Sequence, residues 1–149
     1  MDEKTKEQTK KLLETVRKNA QMGTVTLETL AERLAAAHRG MADIAAEQLE
    51  EYRRIADAAG NKVRALGTEP EDAGAVARTA AAAMVSLQSL TDRSPSHIAE
   101  MIIIGSTRGV ISAIRALRSC PAADPDAIGL ACRLVFAERS NIEQLRRYI

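Results

Sequence analysis

The sequence predicts an all-α protein: a bundle of four long helices with a fifth, alanine-rich helix crossing between its two halves. Three observations lead there. Apolar residues recur at spacings of three and four over long stretches, which marks one buried face per helix. Ala, Leu, Ile, Glu, Arg and Lys dominate, and the only aromatics are Tyr52, Phe136 and Tyr148. Such a core of small and aliphatic side chains suits closely packed helices better than sheets. Ser94–Pro95 and Asp124–Pro125 are each an N-cap residue followed by a first-turn proline, the start signal of a helix. The 149 residues suffice for a single helical-bundle domain over residues 1–149.

The first helix is expected over residues 4–37, where Leu13, Val16, Ala20, Gly23, Leu27, Leu30 and Leu34 form one stripe. Gly23 on that stripe implies either a close approach by another helix or a bend. The second helix, 41–66, repeats the pattern with Met41, Ala45, Gln48, Tyr52, Ile55, Ala59, Val63 and Leu66. Gly60 weakens it without breaking the phase, and Gly40 marks the turn before it. Thr68 and Glu71 read as a capping box, with Pro70 tolerated in a first turn, so the third helix is expected over 70–92. Its stripe of Val76, Ala80, Met84 and Leu87 is narrow. The fourth helix, 95–119, has two apolar stripes: Ile98, Ile102, Gly105 and Gly109, and Ile103, Val110, Ile114 and Leu117. It is therefore expected to be buried on two faces. The fifth, 125–148, carries Ile128, Ala131, Val135, Glu138, Ile142 and Leu145.

Short connections make successive helices antiparallel. If the third helix is the connector, the second and fourth run parallel and are joined by a long crossover, which is the ferritin-like arrangement. A plain up-and-down bundle of five helices is the alternative topology.

Composition narrows the function classes. The 21 basic and 20 acidic residues nearly balance, and neither half carries the basic surface of a nucleic-acid-binding protein. Arg133, Arg139, Arg146 and Arg147 read as a solvated helix face. The N-terminus MDEKTKEQTKK lacks the apolar run of a signal peptide, and no window is expected to reach the roughly 20 apolar residues of a membrane span. Cys120 and Cys132 stand too far apart along the chain's helical rise to bridge. Two free thiols fit a reducing compartment, so a cytoplasmic location is expected.

Among chemistry-bearing motifs, the absences decide most. A di-iron or di-manganese carboxylate centre in a bundle takes two Glu and two ExxH pairs on inward faces. No Glu stands three residues before a His, and the two histidines, His38 and His97, fall at predicted helix ends. No cofactor is expected. His97 and Glu100 form the reversed spacing HxxE and, with Glu138, are the residues to consider for a metal. A capping role for the pair explains it more simply. Glu138 is the sharper anomaly, a carboxylate on an apolar stripe; buried and alone its pKa would rise. Gln48 and Tyr52 hold equivalent positions on the second helix and are its natural buried polar partners, while Arg139 and Asn141 flank it in sequence. Gly105 and Gly109 enclose GSTRG, read as a close helix packing site. No Ser or Cys has a base in a nucleophile motif beside it.

The opening DEKTKEQTKKLL, the LEEY segment ending at Tyr52, SHIAEMIIIGSTRGV (Ser96 to Val110) and the closing ERSNIEQLRRYI resemble a family of small bacterial proteins classed as ferritin-like four-helix bundles. The resemblance implies that fold and, since the family has no established activity, no reaction. Three functional readings follow. The first is a non-enzymatic bundle that binds a protein partner or self-associates, with neither nucleic acid nor membrane as its target. The second is a metal-handling or oxidase-like relative with an irregular carboxylate site, in which Glu138 converges with Glu47, Glu50, Glu51 or Glu100. The third is a bundle that holds a small apolar ligand between its helices.

Overall fold

A computed structural model of the chain describes residues 1–71, 74, 77, 78, 82 and 94–149. All regular structure among them is helical: α1 (Glu3–Ala37), α2 (Arg39–Ala65), α3 (Pro95–Ser119), α4 (Pro125–Leu145) and a final 3-10 turn, Arg146–Tyr148. The crossover helix expected over 70–92 lies outside the described residues, apart from helical Gly74, Ala77, Arg78 and Ala82.

Caps set most of the boundaries. Asp2 accepts from the Thr5 N–H at 2.7 Å to open α1. Ser94 Oγ accepts from His97 N–H at 3.3 Å to open α3, and Asp124 accepts from Ala127 N–H at 2.8 Å to open α4. Each side chain satisfies a backbone donor that the helix itself leaves without a partner. The break between α1 and α2 is not the expected turn at Gly40. It is the single extended residue His38 (φ −154°, ψ 91°), which ends one helix and begins the next. Gly40 lies in the first turn of α2, where a Cβ would stand 3.3 Å from the Tyr148 hydroxyl. α2 runs through Gly60 and stops before Gly67, whose φ of +82° is the left-handed conformation that closes a helix. The Thr68/Glu71 capping box does not form as expected. The Glu71 N–H donates instead to Glu14 of α1 at 3.0 Å, and the Glu71 carboxylate pairs with Lys18 at 2.6 Å. That lysine holds the Glu71 carboxyl below its usual pKa.

Cross-helix contacts give the directions. Ala122 N–H donates to Gln8 at 2.6 Å and Asp124 N–H to Thr9 at 2.8 Å, while Asn19 donates to Ser112 at 3.0 Å, so α1 and α3 are antiparallel. Gln48 donates to Gln144 at 3.1 Å and Lys62 lies 3.9 Å from Asp126, so α2 and α4 are antiparallel too. With α1 and α2 joined at one residue as an antiparallel pair, α2 and α3 point the same way. α1 packs on α2, α3 and α4, and α2 packs on α4. Leu12, Leu13, Val16, Leu30 and Leu34 of α1, Met41, Ile55 and Val63 of α2, and Leu134 and Leu145 of α4 are fully buried between them.

α3 departs from expectation in two respects. Its first stripe is buried at Ile98 and Ile102, but on the second Ile114 is exposed and Ile103, Val110 and Leu117 are half-buried; Ile104 and Ile111 are exposed beside them. It is also the one helix among the described residues long and apolar enough, at a mean hydropathy of 1.2, to meet the composition of a membrane span. Sequence composition alone predicts no such window. Apolar residues facing the bundle and apolar residues facing outward together produce that mean. The two cysteines are both free, Cys120 buried and Cys132 exposed.

Candidate functional site

The α4 stripe settles in a phase slightly different from the expected one. Ala127, Leu130, Ala131, Leu134, Glu138, Asn141 and Leu145 are buried, whereas Ile128, Val135 and Ile142 are half-buried. Glu138 stays on the inward face in either phase, and it is only 3% exposed. The rotation brings in Asn141 one turn later, which the sequence offered only as a neighbour. Asn141 Nδ2 donates to the Tyr52 hydroxyl of α2 at 3.0 Å. A phenol that accepts from an amide keeps its own proton free to donate. Tyr52 and Ser106 of α3, both buried, act through their hydroxyls on the Glu138 carboxylate.

Two glycines make room for this cluster. A Cβ on Gly23 of α1 would lie 2.7 Å from the Tyr52 ring, and one on Gly109 of α3 would lie 2.9 Å from the Glu138 carboxyl. Gly109 thus admits a carboxylate. Gly105 has no described atom within 4 Å of where its Cβ would be and opens onto a cleft. Of the glycine pair read as a close helix packing site, Gly109 houses the Glu138 side chain, and at Gly105 no described residue supplies a packing partner. Sequence reasoning missed Ser106, since a serine between two glycines carries no periodic signal; its place four residues after Ile102 was the available clue.

Electrostatics single out Glu138. Burial pushes its pKa up to about 7, and the nearby Tyr52 and Ser106 hydroxyls, which favour the charged form, offset only part of this. Its Oε2 is buried and makes no hydrogen bond of good geometry among the described residues. Burial and the neighbouring carboxylate raise the Tyr52 pKa, so the phenol keeps its proton. Over this cluster lies a cleft of about 370 Å³ between α1 and α3, with Met22, Leu27, Met101 and Ile102 on its walls and Glu138 and Tyr52 lining it. Arg108, Asn19, Thr26 and Ser112 are its other prominent polar groups.

The remaining sequence candidates lie elsewhere. Gln48 is buried but pairs with Gln144, and its own Oε1 has no partner among the described residues. His97 Nδ1 sits 3.4 Å from Glu100 on the surface of the first turn of α3; Ser106, which meets Glu138, is six residues beyond Glu100, about 9 Å along the axis. Glu51 holds Arg133 through two hydrogen bonds of 2.7 and 3.1 Å, and Glu47 and Glu50 are exposed. Among the described residues no three His, Cys, Asp or Glu side chains gather as a metal site would require. His38, at the α1/α2 break, packs its ring edge-on against Tyr148 at 5.2 Å.

No family model matches the chain, and neither does any curated protein or solved structure.

Proposed function

We propose that this chain is a ferritin-like bundle acting as a non-enzymatic binding protein, and that it binds a small, largely apolar molecule in the cleft above Glu138. The observation that carries the reading is the convergence of an apolar-walled cleft of about 370 Å³ on one buried polar cluster. Ligand sites are commonly of this kind, apolar surface for affinity and a few placed polar groups for orientation. The ferritin-like arrangement is supported by the parallel run of α2 and α3, which a long connection must join. The metal-handling reading finds little support, because Glu47, Glu50, Glu51 and Glu100 stand apart from Glu138. A cytoplasmic site of action rests on the two free thiols.

Gly105 supplies the test. A Cβ there would stand at the cleft with no described atom within 4 Å. Glycine inside a helix costs up to about 1 kcal/mol, so Gly105→Leu should hold or raise the melting temperature. It should also weaken binding of a neutral apolar dye, N-phenylnaphthylamine, by tenfold or more. Undiminished dye binding in a folded Gly105→Leu protein would remove the reading.

A second reading, self-association, is favoured by the exposed Ile104, Ile111 and Ile114 of α3 and by Phe136, which is 76% exposed. Sedimentation over a hundredfold range of concentration is expected to show a mass that rises above that of one chain. A constant monomer mass would end it.

A further inference from the structure

We propose that the ligand of the cleft is an organic cation, an amphiphile whose protonated amine pairs with Glu138 while its apolar body lies along Met22, Leu27, Met101 and Ile102. This rests on the cleft reading above and adds the chemistry of the ligand's head. The Glu138 carboxylate is nearly inaccessible, and among the described residues its Oε2 has no hydrogen-bond partner. From α2 it faces the Tyr52 phenol and from α3 the Ser106 hydroxyl and Gly109. The cleft receives Asn19, Gly23 and Thr26 from α1, none of them titratable, and Arg108 from α3. Among the described residues no basic group forms an ion pair with Glu138.

A carboxylate taken out of water without a cation is costly, and one that lines a cleft can regain its partner from a ligand. An anionic head group would be repelled at the Glu138 carboxylate itself, and a wholly apolar one would leave Oε2 without a hydrogen-bond partner among the described residues. A hard metal ion favours several carboxylate ligands, and among the described residues no three His, Cys, Asp or Glu side chains gather at this point. An ammonium brings three N–H donors on one compact charge. Glu138 Oε2, the Tyr52 oxygen and the Ser106 hydroxyl are the acceptors that it would meet.

Binding of such a cation requires Glu138 ionised. With the carboxyl titrating at about 7 and an alkylamine charged to about pH 10, affinity should fall about tenfold between pH 8 and pH 6. A neutral ligand should show no such fall.

Hexylamine and hexanol, matched in size, are the probes, titrated into the whole chain at pH 8 and pH 6 with binding read by NMR shift changes. The expected result is a preference of tenfold or more for hexylamine at pH 8, reduced about tenfold at pH 6. Glu138→Gln should weaken hexylamine binding at least tenfold and leave hexanol within threefold; its melting curve verifies that it is folded. If hexanol binds as well as hexylamine, or if Glu138→Gln binds hexylamine like the parent, the cationic head is wrong and the cleft reading stands. Binding of neither probe overturns both.

Discussion

Glu138→Gln is expected to stabilise the protein above pH 7 by about 3 kcal/mol and to change it little near pH 4.5. The folded-state pKa of Glu138 is about 7, against 4.5 for an ordinary glutamate. The folded chain therefore binds this proton more tightly than the unfolded chain does. Between pH 4.5 and 7 the folded carboxyl is mostly protonated while the unfolded one is ionised. The stability contributed by the protonated group is complete below 4.5, declines as pH rises toward 7, and is lost above it. Each pH unit of that gap is worth about 1.4 kcal/mol, which gives the figure of about 3. Glutamine keeps the shape and cannot ionise, so the variant should lack the decline. Urea unfolding of both proteins across pH 4.5 to 8 measures the difference directly. The depressed pKa of Glu71 beside Lys18 acts with the opposite sign at lower pH, but it is common to both proteins and cancels. Parallel stability curves would show that Glu138 is not held as described. A group that weakens the fold at neutral pH is the kind of residue that binding, more than folding, accounts for.

Local chemistry was legible in the sequence where one residue decides the outcome alone. Ser94 and Asp124 cap α3 and α4 because the side chain and the N–H it accepts from are three residues apart. Glu138 and Tyr52 were identifiable as polar residues on apolar stripes, and α2 and α4 bring them together. What stayed hidden depends on partners distant in the chain. Glu14, 57 residues before Glu71, captures the N–H that a local box would have capped. On α4 the periodicity allows a stripe through Val135 and Ile142 or one through Leu134 and Asn141, since both contain enough apolar residues. Packing against Tyr52 selects the second, because an Asn141 amide buried there finds an acceptor. The glycines of GSTRG were ambiguous for a related reason. A missing Cβ makes room equally for a helix backbone, a carboxylate or a cleft, and sequence spacing does not distinguish them. The α1/α2 break was legible to within two residues, since the expected helix ends at 37 and 41 bracket His38, although Gly40, which suggested the turn, lies inside α2.

Gly23→Ala is expected to destabilise the protein by about 1–3 kcal/mol, although the same change in an open helix position gains up to about 1 kcal/mol. Position 23 lies inside α1, where alanine is the better helix former, so propensity alone predicts the opposite sign. Packing decides against it. The new Cβ would stand 2.7 to 2.8 Å from three carbons of the Tyr52 ring, closer than atoms pack. A rigid buried ring cannot yield as a flexible chain end can, and its hydroxyl is held by Asn141 at 3.0 Å. Either α1 moves away from α2 or Tyr52 leaves the Glu138 cluster; each loses contacts made in the parent. Gly129 of α4, with no described atom within 4 Å of its Cβ position, is the matched control, and Gly129→Ala should raise the melting temperature. Opposite shifts in thermal denaturation are the expected result, and a rise for both would mean that Gly23 does not fix the position of Tyr52. The mechanism has a further consequence in a double-mutant cycle. Combined with Tyr52→Leu, which removes the ring, Gly23→Ala should cost far less than it does alone, because the atoms it collides with are gone.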